Sequence, residues 1–289
     1  MATTVLVIGQ TRNRFRIPPL LSTVIVAPAP LLVAAGIAPG RIRRAAAWAA
    51  QMWAYEIAFE APHDRRTRLR RRLRVDYPIA ADSLVGAGKP PGQRLQTRLR
   101  NPPRLTALDR AMTAVYAFWD LEPHLVLALL LMRHPQRFPR AAARLAGVYD
   151  LTLVGYWAIP TSPPWWASEK LGRMNGEIRR VVIEVKREAA NERRPVADHE
   201  IGANPWAAMP SDHFATAIMT AIILSELGPV AGTAGWLYAG TLGFALVYLG
   251  EHYITDLVAG GALAGAVHWL SPAITGPIRA LAALWPHPQ

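Results

Sequence analysis

Apolar residues in this chain gather into long blocks separated by polar stretches. The blocks cover 17–38, 105–132, 145–159, 206–227, 230–249 and 254–270. Several approach or exceed the roughly 20 residues that a helix needs to cross a hydrocarbon layer about 30 Å thick. Shorter blocks also suit buried helices of a globular fold, but six of them leave little polar surface to solvate one. The pattern therefore predicts an all-α, polytopic membrane protein with a six-helix transmembrane core plus interfacial helices, a multi-pass protein of the cell membrane. Arg12, Arg14 and Arg16 precede the first block, and Pro18, Pro19, Pro28 and Pro30 interrupt it. It reads as a broken first segment rather than a cleavable signal. The stretch 42–61 carries Trp48, Trp53 and Tyr55 between Arg43, Arg44, Glu56 and Glu60. That mixture fits a short crossing or, better, an amphipathic helix at headgroup level.

Two polar regions punctuate the blocks. Residues 62–104 carry 12 Arg/Lys against 3 acidic residues, including Arg70, Arg71 and Arg72. A solvated face beside anionic membrane lipid explains them, and no recognition motif accompanies the charge to suggest nucleic acid. Residues 161–205 begin with Pro163, Pro164, Trp165 and Trp166, continue as a helix over about 167–190 with mixed Lys/Arg and Glu, and return as irregular chain. The expected organisation is an N-terminal membrane or interfacial part with the basic loop (1–104), a catalytic core (105–272) and a tail (273–289). Counting crossings from Leu105 puts 62–104, 161–205 and the corner at 250–252 on one face. The arginine excess of the first loop makes that face cytoplasmic, against the pull of Arg133, Arg137, Arg140 and Arg144.

Composition changes the picture little. The 289 residues are 52% hydrophobic, carry a formal charge of +12 and include no cysteine, which removes disulfides and thiolate metal sites.

Polar groups at the mouths of apolar segments are functional candidates. His252 and Asp256 stand four apart, on one face of a helix about one turn from each other. A carboxylate that takes the proton of one imidazole nitrogen fixes the tautomer and frees the other nitrogen to attack phosphorus. Alone, such a pair is more often a structural hydrogen bond or a fragment of a metal site. His213 follows Pro210, Ser211 and Asp212 at a helix start, where free N–H groups favour an anion. Ser211 is a cap for that helix or a donor to a phosphate oxygen, and the two roles are compatible. His213 can protonate the leaving oxygen. Asp212 would repel phosphate unless it turned outward or met a substrate hydroxyl, and its charge is expected to raise the basicity of His213. His124 and His268 are packing or interfacial residues, and Glu251 reads as a rim residue or an acceptor for a substrate hydroxyl.

The runs Met209-Pro210-Ser211-Asp212-His213 and His252-Tyr253-Ile254-Thr255-Asp256, with Pro160-Thr161-Ser162-Pro163-Pro164-Trp165, resemble the type 2 phosphatidic acid phosphatase superfamily. Within it they look like the branch that contains the fungal aureobasidin-resistance protein, an inositol phosphorylceramide synthase, and its actinobacterial relatives. The resemblance covers about 105–270, with 77–82 as a further candidate segment. It implies that His252 is a nucleophile forming a phosphohistidine, Asp256 its partner and His213 the general acid, with no metal and no cofactor. Two features of the wider superfamily are missing. No Lys-(six residues)-Arg-Pro motif is present, and Ala245-Leu246 stand where a Ser-Arg pair is usual. The lost cation must come from elsewhere, and Lys170 and Arg173 are the candidates for phosphate binding, alongside Ser211 and Asp212.

The function these residues point to is transfer of a phosphoryl-bearing group from or to a lipid, a phospholipid or polyprenyl-linked phosphate, with a polyol such as inositol or a sugar as acceptor. Hydrolysis by a lipid phosphate phosphatase shares the first half-reaction and remains the alternative. A non-catalytic transporter or scaffold is the reading of another class. Oligomeric state leaves no mark on the sequence.

Overall fold

The computed structural model describes residues 18–61, 66–191 and 204–283. Arg12, Arg14 and Arg16, most of the return over 191–205 and the end of the C-terminal tail lie outside them.

Every regular element among the described residues is a helix. In chain order they are α1 (Pro19–Val26), α2 (Ala29–Gly36), α3 (Arg41–Glu60), α4 (Arg66–Arg70), α5 (Asp76–Val85), α6 (Pro91–Leu99), α7 (Ala107–Phe118), α8 (Glu122–Arg133), α9 (Phe138–Ala158), α10 (Pro164–Leu171), α11 (Val181–Ala190), α12 (Asp212–Ser225), α13 (Pro229–Tyr248) and α14 (Ile254–Ala283). Proline sits in the first turn of α1, α2, α6, α8, α9, α10 and α13, where its missing N–H costs nothing. Thr106 and Asp109 start α7 with a reciprocal capping box. The basic stretch expected as a loop is thus largely helical, as α4 to α6. The helix expected over 167–190 is two, because Gly172 turns left-handed at φ 66° and ends α10.

Helix α12 occupies the middle, with α8, α9, α13 and α14 packed round it. Leu127, Leu130, Leu145, Val148, Met219 and Ala264 fill one side of the core, and Ala221, Ala239, Leu242 and Leu246 another. Small residues allow the closest approaches. A Cβ on Gly260 of α14 would lie 2.5 Å from the carbonyl oxygen of Ser211, and one on Gly155 of α9 would lie 2.4 Å from Cδ of Pro210.

The six-helix transmembrane core is not what forms. Among the described residues α13 is the one helix long and apolar enough to cross a membrane, joined by α7 and α8 if that pair, bent by 47°, counts as one span. The first block splits at Ala27–Pro28, and the fourth yields a helix of only 14 residues, about 21 Å long. The third lies in α9, which buries Arg144 with 2% exposure and bonds it to Glu226 at 2.6 Å and to Ser271 at 3.1 Å. Other charges are likewise taken inside and paired: Asp109 accepts from Tyr248 at 2.6 Å and neighbours Arg100, which also pairs with Glu184. The apolar blocks therefore serve largely to cover one another, with paired charges taken into the same interior. With the crossings goes their corollary, the multi-pass placement and the cytoplasmic assignment of the site's face. Large apolar side chains do remain outside, among them Leu31, Val230 and Trp269, which are 73%, 84% and 81% exposed.

The contact at Gly260 meets backbone rather than a movable side chain. Gly260→Ala is therefore expected to cost about 1–3 kcal/mol through overpacking, read as a lower melting temperature. An unchanged melting temperature would show that α12 and α14 do not pack this closely.

Candidate functional site

Three segments distant in sequence are tied together before any functional side chain is placed. Arg74, Thr161 and Ala207 form successive parallel bridges, through bonds of 2.8 Å (Arg74 N–H to Pro160), 2.9 Å (Thr161 N–H to Trp206) and 3.3 Å (Ala208 N–H to Thr161). The chain then enters α12 at Ser211, which is fully buried. Its Oγ accepts from the Phe214 N–H at 3.3 Å, so it caps the helix, while its own N–H reaches the carbonyl of Asp256 at 3.0 Å. That backbone bond joins the starts of α12 and α14.

Between α13 and α14 lies a tight corner. Gly250 adopts φ 79°, a region that favours glycine. The N–H groups of Glu251 and His252 both turn back to the carbonyl of Leu246, at 3.0 and 3.2 Å. The corner aims His252 inward. Its Nδ1 lies 3.3 Å from Oδ2 of Asp256, which also accepts from the Tyr253 N–H at 2.9 Å. Its Nε2 lies 3.2 Å from Nδ1 of His213. Asp256, His252 and His213 thus form one hydrogen-bonded line. With the carboxylate accepting from Nδ1 of His252, its Nε2 is left as the acceptor and Nδ1 of His213 as the donor.

Aromatic rings hold His213. Tyr116 stacks on it at 5.0 Å between centroids, and Trp119 lies at 4.1 Å on a tilt, fixed by its own indole N–H bond to Thr216 at 2.7 Å. The histidines open into a cavity of about 250 Å³, lined also by Tyr55, Glu56, Phe59, Asp120, Arg180 and Glu251. Arg180 brings positive charge into it. The guanidinium stands 4.3 Å above the Trp165 ring and is gripped by Glu251 at 2.8 and 3.3 Å.

Burial sets the proton affinities. It lifts Asp256 to about 6, against the pull of its bond to His252. It also drives His213 well below the usual imidazole range, helped by His252 and Arg180 nearby. Asp212 rises to about 7, again by burial. The carboxylate of Asp212 turns to Tyr55, whose hydroxyl donates at 2.6 Å. A protein hydroxyl meets it, and what depresses His213 does not include it.

The histidines and Asp256 singled out in the sequence converge, and Asp212 lines the same cavity. Ser211 lies in the helix cap behind it. Lys170 and Arg173 are not among the lining residues, and Arg173 pairs with Asp76 at 3.0 Å. His124 takes a bond from the Trp48 indole at 3.2 Å, in the packing between α3 and α8. Arg180, Tyr116, Trp119 and Tyr55 line the cavity without belonging to any of the sequence motifs. The one available signal was the break at Trp119-Asp120 within an apolar block.

Among the described residues no group of three or more His, Asp or Glu is disposed to hold a metal ion. No curated protein and no solved structure matches the chain. A family model does: the one described as PAP2 superfamily matches residues 94–270, more than half of the chain. The matched range holds Arg180, His213, His252 and Asp256, and the match identifies the superfamily without singling out the aureobasidin-resistance branch. On that match and the converged histidine motifs, the chain belongs to the PAP2 superfamily of type 2 phosphatidic-acid-phosphatase-like proteins.

Proposed function

We propose that the protein is a phosphatase that hydrolyses a phosphate ester carried by a lipid, with His252 as nucleophile. The observation that carries this reading is the line Asp256–His252–His213, with contacts of 3.3 and 3.2 Å, opening into a cavity that also holds Arg180.

In the first step Nε2 of His252 forms a bond to phosphorus as the bond to the leaving oxygen breaks, and phosphorus takes over the space where Nε2 meets His213. Asp256 keeps the Nδ1 proton and balances the charge that grows on the ring. His213 gives its proton to the departing oxygen. In the second step water attacks phosphorus, its proton passes to His213 and the N–P bond breaks, which releases phosphate and restores the site. Charge spread over the equatorial oxygens needs a cation. Arg180 is placed to supply it by sharing its donors between Glu251 and the phosphate. A phosphate beside His213 also favours the protonated ring, which offsets the depressed basicity of that histidine.

Water needs no acceptor subsite, which makes hydrolysis the simpler second half. Transfer to a polyol or sugar shares the first half and would reveal itself as a new lipid product when inositol is added. Hydrolysis releases inorganic phosphate whether or not a polyol is present.

With purified protein and a panel of lipid phosphates, such as phosphatidic acid and polyprenyl phosphate, His252→Gln is expected to lower turnover by about 10³-fold or more. His213→Gln should cost about 10²–10⁴-fold and should let an acid-labile phosphohistidine build up from labelled substrate. Retained turnover in His252→Gln would refute the assignment.

Activity requires Asp256 ionised and His213 protonated. Because the lowered value of His213 lies below that of Asp256, about 6, the rate stops rising once pH passes the His213 value and falls above about 6. The two conditions barely overlap, so kcat/KM should trace a bell with an acidic optimum. It should lose about tenfold per pH unit on the alkaline side. A plateau through pH 8 would contradict these proton roles.

Replacing Arg180 by Gln should lower kcat/KM by about 10²–10³-fold, with Arg180→Lys restoring only part of it, since Lys cannot keep two donors on Glu251 while reaching phosphate. Equal losses in Lys170→Ala and Arg173→Ala would move the phosphate site away from Arg180.

A further inference from the structure

The first N–H groups of a helix have no carbonyl partner within it and are ordinarily met by the side chain just before. At α14 they are met from far away. Asp82 of α5, 172 residues earlier than Ile254, accepts the N–H of Ile254 through Oδ2 and that of Thr255 through Oδ1, each at 2.9 Å. Its side chain is 1% exposed. The helix so capped begins two residues after His252 and carries Asp256 in its first turn. The cap is itself held in place: Tyr77, on the same helix as Asp82, bonds Thr161 at 2.9 Å, and Arg74 just before it pairs with Thr161 through the backbone. Asp82 also lies before the range that the family match covers.

We propose that Asp82 is a positioning residue for the phosphoryl-transfer chemistry: it fixes the start of α14 so that Asp256 and His252 keep their register. This role rests on the phosphatase reading above. The titratable groups that face Asp256 are His252 and Tyr253 on its own corner, Asp82 and Tyr77 from α5, and Tyr156 from α9. Of these Asp82 is the one that both bonds the backbone of the first turn and adds negative charge. A cap that merely stabilised the helix would affect folding and leave the chemistry of correctly folded molecules alone. A positioning group acts on turnover and on proton affinity.

The test compares Asp82→Asn and Asp82→Ser with wild type, using a short-chain phosphatidic acid as substrate and Gly232→Ala as the control. The control overpacks the start of α13 against the far end of α12, where a Cβ would lie 2.8 Å from Oγ and 2.9 Å from Cα of Ser225, and no residue of α13 lines the cavity. Asp82→Asn keeps the shape but presents one acceptor and no charge. It is expected to lower kcat by about 100-fold while KM changes little, because a displacement of about 1 Å at the nucleophile suffices for that loss. The acid limb of its kcat profile, read with phosphate bound beside His213, should move to lower pH, since removing the neighbouring carboxylate eases ionisation of Asp256. Gly232→Ala should lose melting temperature with kcat and pH profile intact. Either folded variant decides the matter. Unchanged kcat, a change confined to KM, or an acid limb that stays put would overturn the role of Asp82. Failure of both variants to fold would overturn it too, by making Asp82 a requirement of folding. Those results would leave the phosphatase reading standing. That reading, and this role with it, would instead be lost if wild type released no phosphate or His252→Gln stayed active.

Discussion

The bond from the N–H of Ser211 to the carbonyl of Asp256, 3.0 Å long, is the constraint on which this site depends. It docks the first turn of one helix against the first turn of another. Gly260 makes the approach possible, because any side chain there would strike the carbonyl oxygen of Ser211. Once the two turns are locked, His213 and His252 have little choice but to face each other, although 39 residues separate them. The geometry of the pair is therefore inherited from main-chain contacts. Such contacts resist drift better than a bond between two long side chains, which pays rotamer entropy to hold one geometry.

The charge around the pair is unusual for an anion site. Glu56, Asp120, Asp212 and Glu251 line the cavity together with Arg180. Burial lifts Glu56 and Asp212 each to about 7, so near neutrality a good part of that negative charge is neutralised by protons, and Asp212 is further engaged by Tyr55. Glu251 is engaged by Arg180. On the proposed chemistry, a phosphate entering this cavity would meet carboxyl groups already occupied, and a guanidinium oriented by Glu251 and by the Trp165 ring. Pre-orientation of this kind lowers the reorganisation needed as charge builds in the transition state.

What the sequence made legible follows the reach of local rules. His252 and Asp256 are four apart, Ser211 precedes a helix, and Gly250 sits where a turn needs positive φ, so each could be placed from a few neighbouring residues. Arg180, Tyr116 and Asp82 arrive from α11's entrance, α7 and α5, and no periodicity says that these elements meet at one corner. Lys170 and Arg173 were reasonable by proximity to the Pro-Pro-Trp-Trp segment. The chain turns left-handed at Gly172, and it is the next charged stretch that delivers Arg180. The all-helical class was legible in the apolar blocks, whereas the number of crossings was not. Block hydropathy averages over proline breaks and over residues such as Arg144, whose charge is matched by Glu226 rather than excluded.

The grip of Tyr116 and Trp119 on His213 has a consequence for the order of events. Packed against rings at 5.0 and 4.1 Å and bonded to His252, the imidazole is held in one orientation. On the proposed chemistry the proton it surrenders must come back to the same nitrogen from the same side. Departing alcohol and arriving water then share a single doorway, so the first has to clear it before the second can enter. Phosphorus, inverted once by each, would leave with the handedness it brought.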